Sequence, residues 1–251
     1  MTGAGFQDHF SERAESYARF RPRYPAELMD WLASLTPGRA LAWDAGTGNG
    51  QAAVALATHF QRVVATDASQ DQIAYATPHP GVSYLVERAE AAGLPDASCD
   101  LVTAAQALHW FDPPAFFAEA RRVLKPGGAI AVWSYVDPAL AEPELDAVLQ
   151  DFVRAVWGDW PPERPLAESG YRTLAFPFEE VTAPVFHLVM QPTMEELAGY
   201  LRTWSATRRY IRRTGMDPVA AVEARLVPLW PRGARNTLRW PMHIRAGVRL
   251  A

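Results

Sequence analysis

Residues 41 to 51, Leu-Ala-Trp-Asp-Ala-Gly-Thr-Gly-Asn-Gly-Gln, constrain the fold of this chain more than any other stretch. A short apolar run ends in Asp44, Gly46, Gly48 and Gly50 then alternate, and a helical pattern follows. The pattern predicts a strand, a tight glycine turn and a helix start. Without Cβ atoms such a turn lets the backbone pass close to a ligand, and N–H groups at a helix start point at whatever sits there. About twenty residues later, Arg62-Val63-Val64-Ala65-Thr66-Asp67 reads as a second strand ending in a carboxylate, placed to accept hydrogen bonds from ribose hydroxyls. Together the two signals predict a nucleoside cofactor.

The nicotinamide fingerprint G-x-G-x-x-G/A needs Gly or Ala at its third step, counted from Gly46. That step is Gln51, so the fingerprint fails. The pattern D-x-G-x-G-x-G beginning at Asp44 instead resembles motif I of the class I S-adenosylmethionine (SAM) methyltransferases. The resemblance implies that the loop Ala45, Gly46, Thr47, Gly48, Asn49 and Gly50 wraps the methionine half of the cofactor. It implies that Asp44 lies near the methionine amino group and that Asp67 grips the ribose. Further cofactor contacts are expected from Ala68 and Gln72, from Ala89 and Glu90, and from Gln106 and Ala107. Many relatives place an acid two residues before Glu90 to hold the adenine amine; here that residue is Arg88, so either Glu90 or the backbone around Ala89 takes the contact.

The first half of the chain extends the pattern. Val82 to Val86 reads as a third strand, Cys99 to Gln106 as a fourth and Ala129 to Tyr135 as a fifth. Helical stretches separate them: Gly50 to Phe60, Gln70 to Ala76, and Pro114 to Leu124 closed by Lys125-Pro126-Gly127-Gly128. Strands alternating with helices imply βαβ crossovers and a parallel sheet. The segments 119–128 and 105–112 are similar to those flanking strands four and five in small-molecule methyltransferases, and the resemblance runs in order over residues 6 to 135. The expected fold is α/β: a Rossmann-like, seven-stranded, mostly parallel sheet with helices on both faces and a helical substrate cap.

Composition narrows the class. At 251 residues the chain is long enough to bury a substantial core, no apolar run reaches bilayer length, and the N-terminus lacks the pattern of a secretory signal. A cytoplasmic enzyme is expected. Cys99 is the only cysteine, which excludes an intrachain disulfide and the several thiolates of an iron–sulfur cluster. The six histidines are scattered without i, i+4 spacing, so no metal site is expected. From Glu196 onward 11 Arg face 3 acids, which reads either as a cationic surface for an acidic substrate or RNA or as a solvated face in a chain whose generic cation is Arg.

Asp112-Pro113-Pro114 is superficially like the D-P-P-Y motif of base methyltransferases, but Ala115 replaces the aromatic. Asp112 reads better as an N-cap with proline at the first helical position. Methyl transfer itself asks little of side chains, because the sulfonium is intrinsically reactive; the protein holds the reacting atoms in line. His109, following strand four, is the candidate base, or else an orienting group that packs without moving a proton. Trp110, Trp133, Tyr135, Arg202 and Trp204 are the other candidate substrate-pocket residues.

Residues 1–36 are expected to form an N-terminal helical lid, 37–136 the SAM-binding core and 137–251 a substrate cap carrying the last two strands. Tyr17 and Arg21 are the lid's candidates for contact with the cofactor carboxylate or an acidic substrate. Beyond the core, helices are expected at Pro143 to Trp157 and from Thr193 through Ser205, where Thr193-Met194-Glu195-Glu196 forms a capping box. Strands are expected at Thr182 to Gln191 and from Arg239 or Trp240 to Val248, with Pro241 suggesting a late start or an edge. Tyr200 to Ala206 and Trp240-Pro241-Met242 resemble a subgroup near the aconitate-type carboxyl methyltransferases. The expected function is SAM-dependent methylation of a small molecule, with a carboxylate as candidate acceptor and no nucleic-acid or membrane partner. The alternative is a tRNA or other RNA methyltransferase.

Overall fold

A computed structural model describes residues 22–250. Tyr17 and Arg21 therefore lie outside the described residues, as does most of the expected lid. The described chain divides into two compact units, one built from residues 23–138, 162–188 and 240–250, the other from 139–161 and 189–239.

The first unit is organised around a sheet. Its parallel strands are β1 (Leu41–Ala45), β2 (Arg62–Asp67), β3 (Val82–Val86), β4 (Cys99–Ala105) and β5 (Leu124–Tyr135). β9 (Leu238–Val248) runs antiparallel to β5, with Ala129 opposite Val248 and Tyr135 opposite Met242. The order along the sheet is β3-β2-β1-β4-β5-β9; β6 (Ala139–Leu140) pairs with Leu238 and Arg239 at the start of β9, within the second unit. Two short strands, β7 (Glu179–Val181) and β8 (His187–Met190), also pair with β9. Of the strand expected over 182–191, only His187–Met190 forms, as β8; residues 182–186, where Pro184 lacks an N–H to donate, are not strand, and β7 lies just before the expected bounds. Pro241 proves compatible with a continuous β9. The strand pairs with β6 through Leu238 and Arg239 and with β5 from Met242 onward, so proline falls where neither ladder needs its N–H.

Strand order locates the ligand edge. From β1 the chain steps outward to β2 on one side; from β4 it steps to β5 on the other. Right-handed crossovers in opposite directions put their helices on opposite faces of the sheet. α1 (Ala26–Ser34) packs against α2 (Gln51–Leu56), and α2 against β1 and β2. α4 (Pro113–Val123) covers the other face: its Phe116, Phe117, Ala120 and Val123 join Trp43, Val64, Val102 and Val132 in a buried cluster. The short α3 (Gln70–Ala74) follows β2. Order therefore reverses between β1 and β4, the switch point beyond whose carboxyl ends ligands of open α/β sheets bind. The polar edge of Trp43 is satisfied within this core, its Nε1–H donating to Thr66 Oγ1 at 2.9 Å.

Sequence and structure differ at helix ends. α2 stops at Leu56 rather than Phe60 and α3 at Ala74 rather than Ala76, while β5 begins at Leu124, five residues before the expected Ala129. α4 is capped as expected: Asp112 Oδ1 accepts from Ala115 N at 3.2 Å and Pro113 opens the helix. A short helix, α6 (Arg164–Glu168), follows Pro161 and Pro162.

The second unit is helical: α5 (Pro143–Ala155), α7 (Met194–Thr203), α8 (Ser205–Thr214) and α9 (Pro218–Leu226). The capping box of α7 forms, with Glu196 N donating to Thr193 Oγ1 and Thr193 N to Glu196 Oε2. No helix among the described residues is long and apolar enough to cross a membrane.

Candidate functional site

The glycine loop leaves β1 at Asp44 and Ala45, both fully buried. Gly46 has φ +66°, and a Cβ there would stand 2.7 Å from both Ala107 Cβ and the Phe111 ring. Only glycine satisfies both the left-handed backbone and that close approach. Thr47 N donates to Thr66 O at 2.9 Å, stitching the loop to the end of β2. The Asp44 carboxylate faces inward, with Thr47 Oγ1 donating to Oδ2 at 2.6 Å and Thr103 Oγ1 to Oδ1 at 2.7 Å. Asp67 closes the arrangement from β2: its Oδ2 accepts from Gly48 N at 2.9 Å and its Oδ1 from Ser69 N at 2.8 Å. Gln72, on α3, lies beside Gly48. Thr77 N donates to Asn49 O, which ties down the far side of the loop. The result is a backbone cradle at the sheet's carboxyl edge with one carboxylate buried beneath it and another at its rim. These residues fit an amino-acid-bearing nucleoside, which offers an ammonium and vicinal hydroxyls.

Burial dominates the electrostatics of Asp44. Burial raises the Asp44 carboxyl to about 6, against the hydrogen bonds from Thr47, Thr103 and the Ala53 N–H, and the charge of Asp67 adds to the rise. With a folded value above its ordinary 3.8, Asp44 contributes stability below that pH, and loses it as pH rises through about 6. His109 has the opposite sign: burial pushes it down to about 4 from 6.5, so its contribution is present above 6.5 and lost as pH falls through about 4. Asp44→Asn removes only the first effect. The difference in Tm, variant minus wild type, should therefore climb between about pH 4 and pH 7, by the equivalent of up to ~3 kcal/mol. Thermal unfolding across that window checks it; a constant difference would contradict the assignment.

At the end of β4, Gln106 adopts φ +55°. Its side chain caps the neighbouring strand, Nε2 donating to Tyr135 O at 2.6 Å and Oε1 accepting from Tyr135 N at 3.0 Å. Gln106 thus extends the β4–β5 ladder by a side-chain rung, and the strained backbone there turns the chain out of the strand. Leu108–Trp110 form a short 3-10 turn there. His109 is half-buried, with Nδ1 3.0 Å from the Tyr171 hydroxyl; Trp110 is 60% exposed and leans on the His109 ring at 4.9 Å. Trp133 and Tyr135 are buried, Trp133 packing edge-on to Tyr24.

After β3, Ala89 is buried and Ala68, after β2, is exposed. Glu90 Oε1 accepts from Asp112 N at 2.9 Å and Oε2 from Arg88 Nε at 3.2 Å. Burial acts to raise the Glu90 carboxyl, yet these donors hold it below its ordinary value. Arg202 and Trp204 belong to the helical unit and have partners there. Arg202 binds Asp217 and Glu223, and Trp204 is buried among Phe152, Trp160 and Tyr200. Among the described residues, no group of three His, Cys, Asp or Glu side chains is arranged to hold a metal ion.

Sequence reasoning missed three aromatic residues. Phe111 walls Gly46, Tyr84 walls Gly50, and Tyr171 holds His109. Tyr84 sits on a strand where an alternating aromatic reads as ordinary packing, and Tyr171 follows Gly170 in a stretch without periodicity.

Residues 43–132 match a family model described as a methyltransferase domain. A Dictyostelium discoideum protein named as a methyltransferase is 33% identical over 230 residues, covering 90% of this chain and 88% of its own length. A solved structure from Anaeromyxobacter dehalogenans, described as a type II methyltransferase, is 46% identical with a TM-score of 0.87, covering 92% of this chain and 98% of its own. An uncharacterized methyltransferase of Mycobacterium tuberculosis is 37% identical over 133 residues, covering 52% of this chain and 54% of its own. The chain belongs to the class I SAM-dependent methyltransferases, and S-adenosyl-L-methionine is its cofactor.

Proposed function

We propose that the chain transfers the methyl group of SAM to a carboxylate of a small molecule. The observation behind this reading is His109: it is the titratable side chain on the turn after β4, and burial pushes it down to about 4. Such a group is a weak base near neutral pH. A carboxylate is already an anionic nucleophile and needs none. The likeness of segments 200–206 and 240–242 to aconitate-type carboxyl methyltransferases points the same way. The RNA alternative is weakened by the pairing of the C-terminal arginines: Arg202, Arg213, Arg225, Arg235 and Arg245 each bind a carboxylate.

When bound, the cofactor supplies a sulfonium-activated methyl group. Residue roles in this reading follow from the hydrogen bonds already spent. Each Asp67 oxygen accepts one backbone N–H and keeps a lone pair for a ribose hydroxyl. Asp44, enclosed by two threonines, fixes the loop and lends negative potential to the methionine ammonium rather than touching it. With Glu90 engaged by Asp112 and Arg88, the backbone around Ala89 takes the adenine amine. Tyr17 and Arg21 are proposed for the cofactor carboxylate. Gln106 and Ala107 shape the site, and His109 and Trp110 face the acceptor.

The test is methyl transfer from isotopically labelled SAM to pooled small carboxylic acids, alcohols, amines and tRNA, read by mass spectrometry. Methyl esters are the expected products. Label in RNA or amines, with none in the acids, would overturn the acceptor class.

A further inference from the structure

Tyr171 is held in place more firmly than its position after α6 requires. It is fully buried with φ +62°, directly after Gly170 at φ +60°. A side-chain-bearing residue persists in that conformation only where its surroundings determine it. Arg245, on β9, does so: its Nη1 donates to Tyr171 O at 2.8 Å and to Leu174 O at 2.9 Å. Glu180 on β7 holds the same guanidinium at 2.9 and 3.2 Å, and the Phe176 ring lies 4.6 Å beneath it. Tyr171 N donates to Leu166 O at 3.1 Å. The clamp presents the Tyr171 ring nearly parallel to His109, at 17° and 6.2 Å between centroids, with the hydroxyl 3.0 Å from Nδ1.

The direction of that hydrogen bond follows from counting protons. Among the described residues, His109 Nδ1 is the partner of the Tyr171 hydroxyl. If Nδ1 carried a proton and donated it, the tyrosine's own O–H would be buried without an acceptor, which is costly. If the tyrosine donates, both groups are satisfied and the imidazole proton resides on Nε2. We propose that Tyr171 is a positioning residue that holds His109 as its Nε2–H tautomer, so that His109 offers the methyl acceptor a hydrogen-bond donor and not a base. This rests on the reading of His109 as facing the acceptor. The enzyme is thereby matched to nucleophiles that carry no proton at the reacting atom. A carboxylate oxygen forms the new C–O bond, the C–S pair returns to sulfur, and no proton is released.

The surrounding charges agree with a neutral ring. Glu163 acts to raise His109, but burial outweighs it. Arg164 and Glu168 lie on α6, which packs against the turn holding His109; Arg164 pairs with both Asp137 and Glu168. His243 lies against Gly170, and burial together with Arg172 lowers it.

Long-range proton–nitrogen NMR of the full chain, with His109 assigned through His109→Gln, tests the proposal. Wild type should show the Nε2–H tautomer, with protonation only near the value of about 4. Tyr171→Phe keeps the ring and removes the donor, so it should give a mixture of tautomers. Its kcat on a carboxylic acid should fall roughly tenfold, as for one lost hydrogen bond, with S-adenosylhomocysteine affinity unchanged. Arg245→Lys, which loosens the clamp without altering either ring, should shift the tautomer in the same direction should the first variant fold poorly. An Nδ1–H wild type, or a tautomer unaltered in both variants, overturns the proposal. Absence of ester formation by wild type with every carboxylic acid overturns the acceptor reading instead, and is visible apart from the tautomer.

Discussion

Gly50→Val is expected to abolish measurable S-adenosylhomocysteine binding and to lower thermal stability. Gly50 has φ +89°, and a Cβ there would stand 2.2 Å from the Tyr84 hydroxyl oxygen and 2.9 Å from Cζ. Tyr84 cannot swing aside cheaply. Its hydroxyl donates to Thr77 O at 2.7 Å, and Thr77 N donates in turn to Asn49 O at 3.0 Å, within the same loop. A β-branched residue in the left-handed region costs about 1–2 kcal/mol, and overpacking adds roughly 1–3 kcal/mol. Their sum, about 2–5 kcal/mol, exceeds what a surface loop redistributes without moving, so the loop moves and the cradle is lost. Calorimetry and thermal unfolding read the two effects. Gly158→Ala, where nothing lies within 4 Å of the added Cβ, is the control that should change neither. Binding within threefold of wild type in the Gly50 variant would contradict the loop's proposed role.

Asp67→Ala is the second large effect. The side chain anchors Gly48 N and Ser69 N at 2.9 and 2.8 Å, and in the proposed complex it also receives the ribose hydroxyls. Hydrogen bonds to a charged group contribute about 1.5–3 kcal/mol each. Losing the ribose bonds together with the loop anchor should weaken S-adenosylhomocysteine by roughly 10²–10³-fold. Asp67→Asn keeps the shape and one acceptor oxygen, so it should fall between the two. The order wild type, Asn, Ala in Kd is the measurable signature. Equal affinity in all three would place the ribose elsewhere.

The sheet edge was legible in the sequence because its chemistry is local. Alternating glycines next to an acid, and a second acid ending the next strand, mark backbone positions that few side chains tolerate. The parallel sheet was legible from strand–helix alternation, and the Asp112 and Thr193 caps from side chains that act on their own next turn. What could not be read depends on distant pairing. Nothing near Gln106 announces that its amide will replace a ladder rung against Tyr135. Residues 182–191 carry strand-forming side chains, but the stretch around Pro184 stays irregular and only His187–Met190 pairs with β9. The basic C-terminal stretch resembles a cationic surface in one dimension, whereas in three dimensions five of its arginines are taken by carboxylates. Tyr171 acquires its role through Arg245, 74 residues further along the chain.

In the proposed complex the glycine loop and Asp67 together form the cofactor site, with the turn after β4 beside it. Hydrogen–deuterium exchange of the wild-type chain with and without S-adenosylhomocysteine tests this most directly, because it maps binding without requiring the acceptor. Slowed exchange is expected in peptides covering residues 44–51, 67–72, 87–90 and 105–110, with little change in 218–226. Protection confined to other segments, or saturating binding with no protection at 44–51, would contradict it.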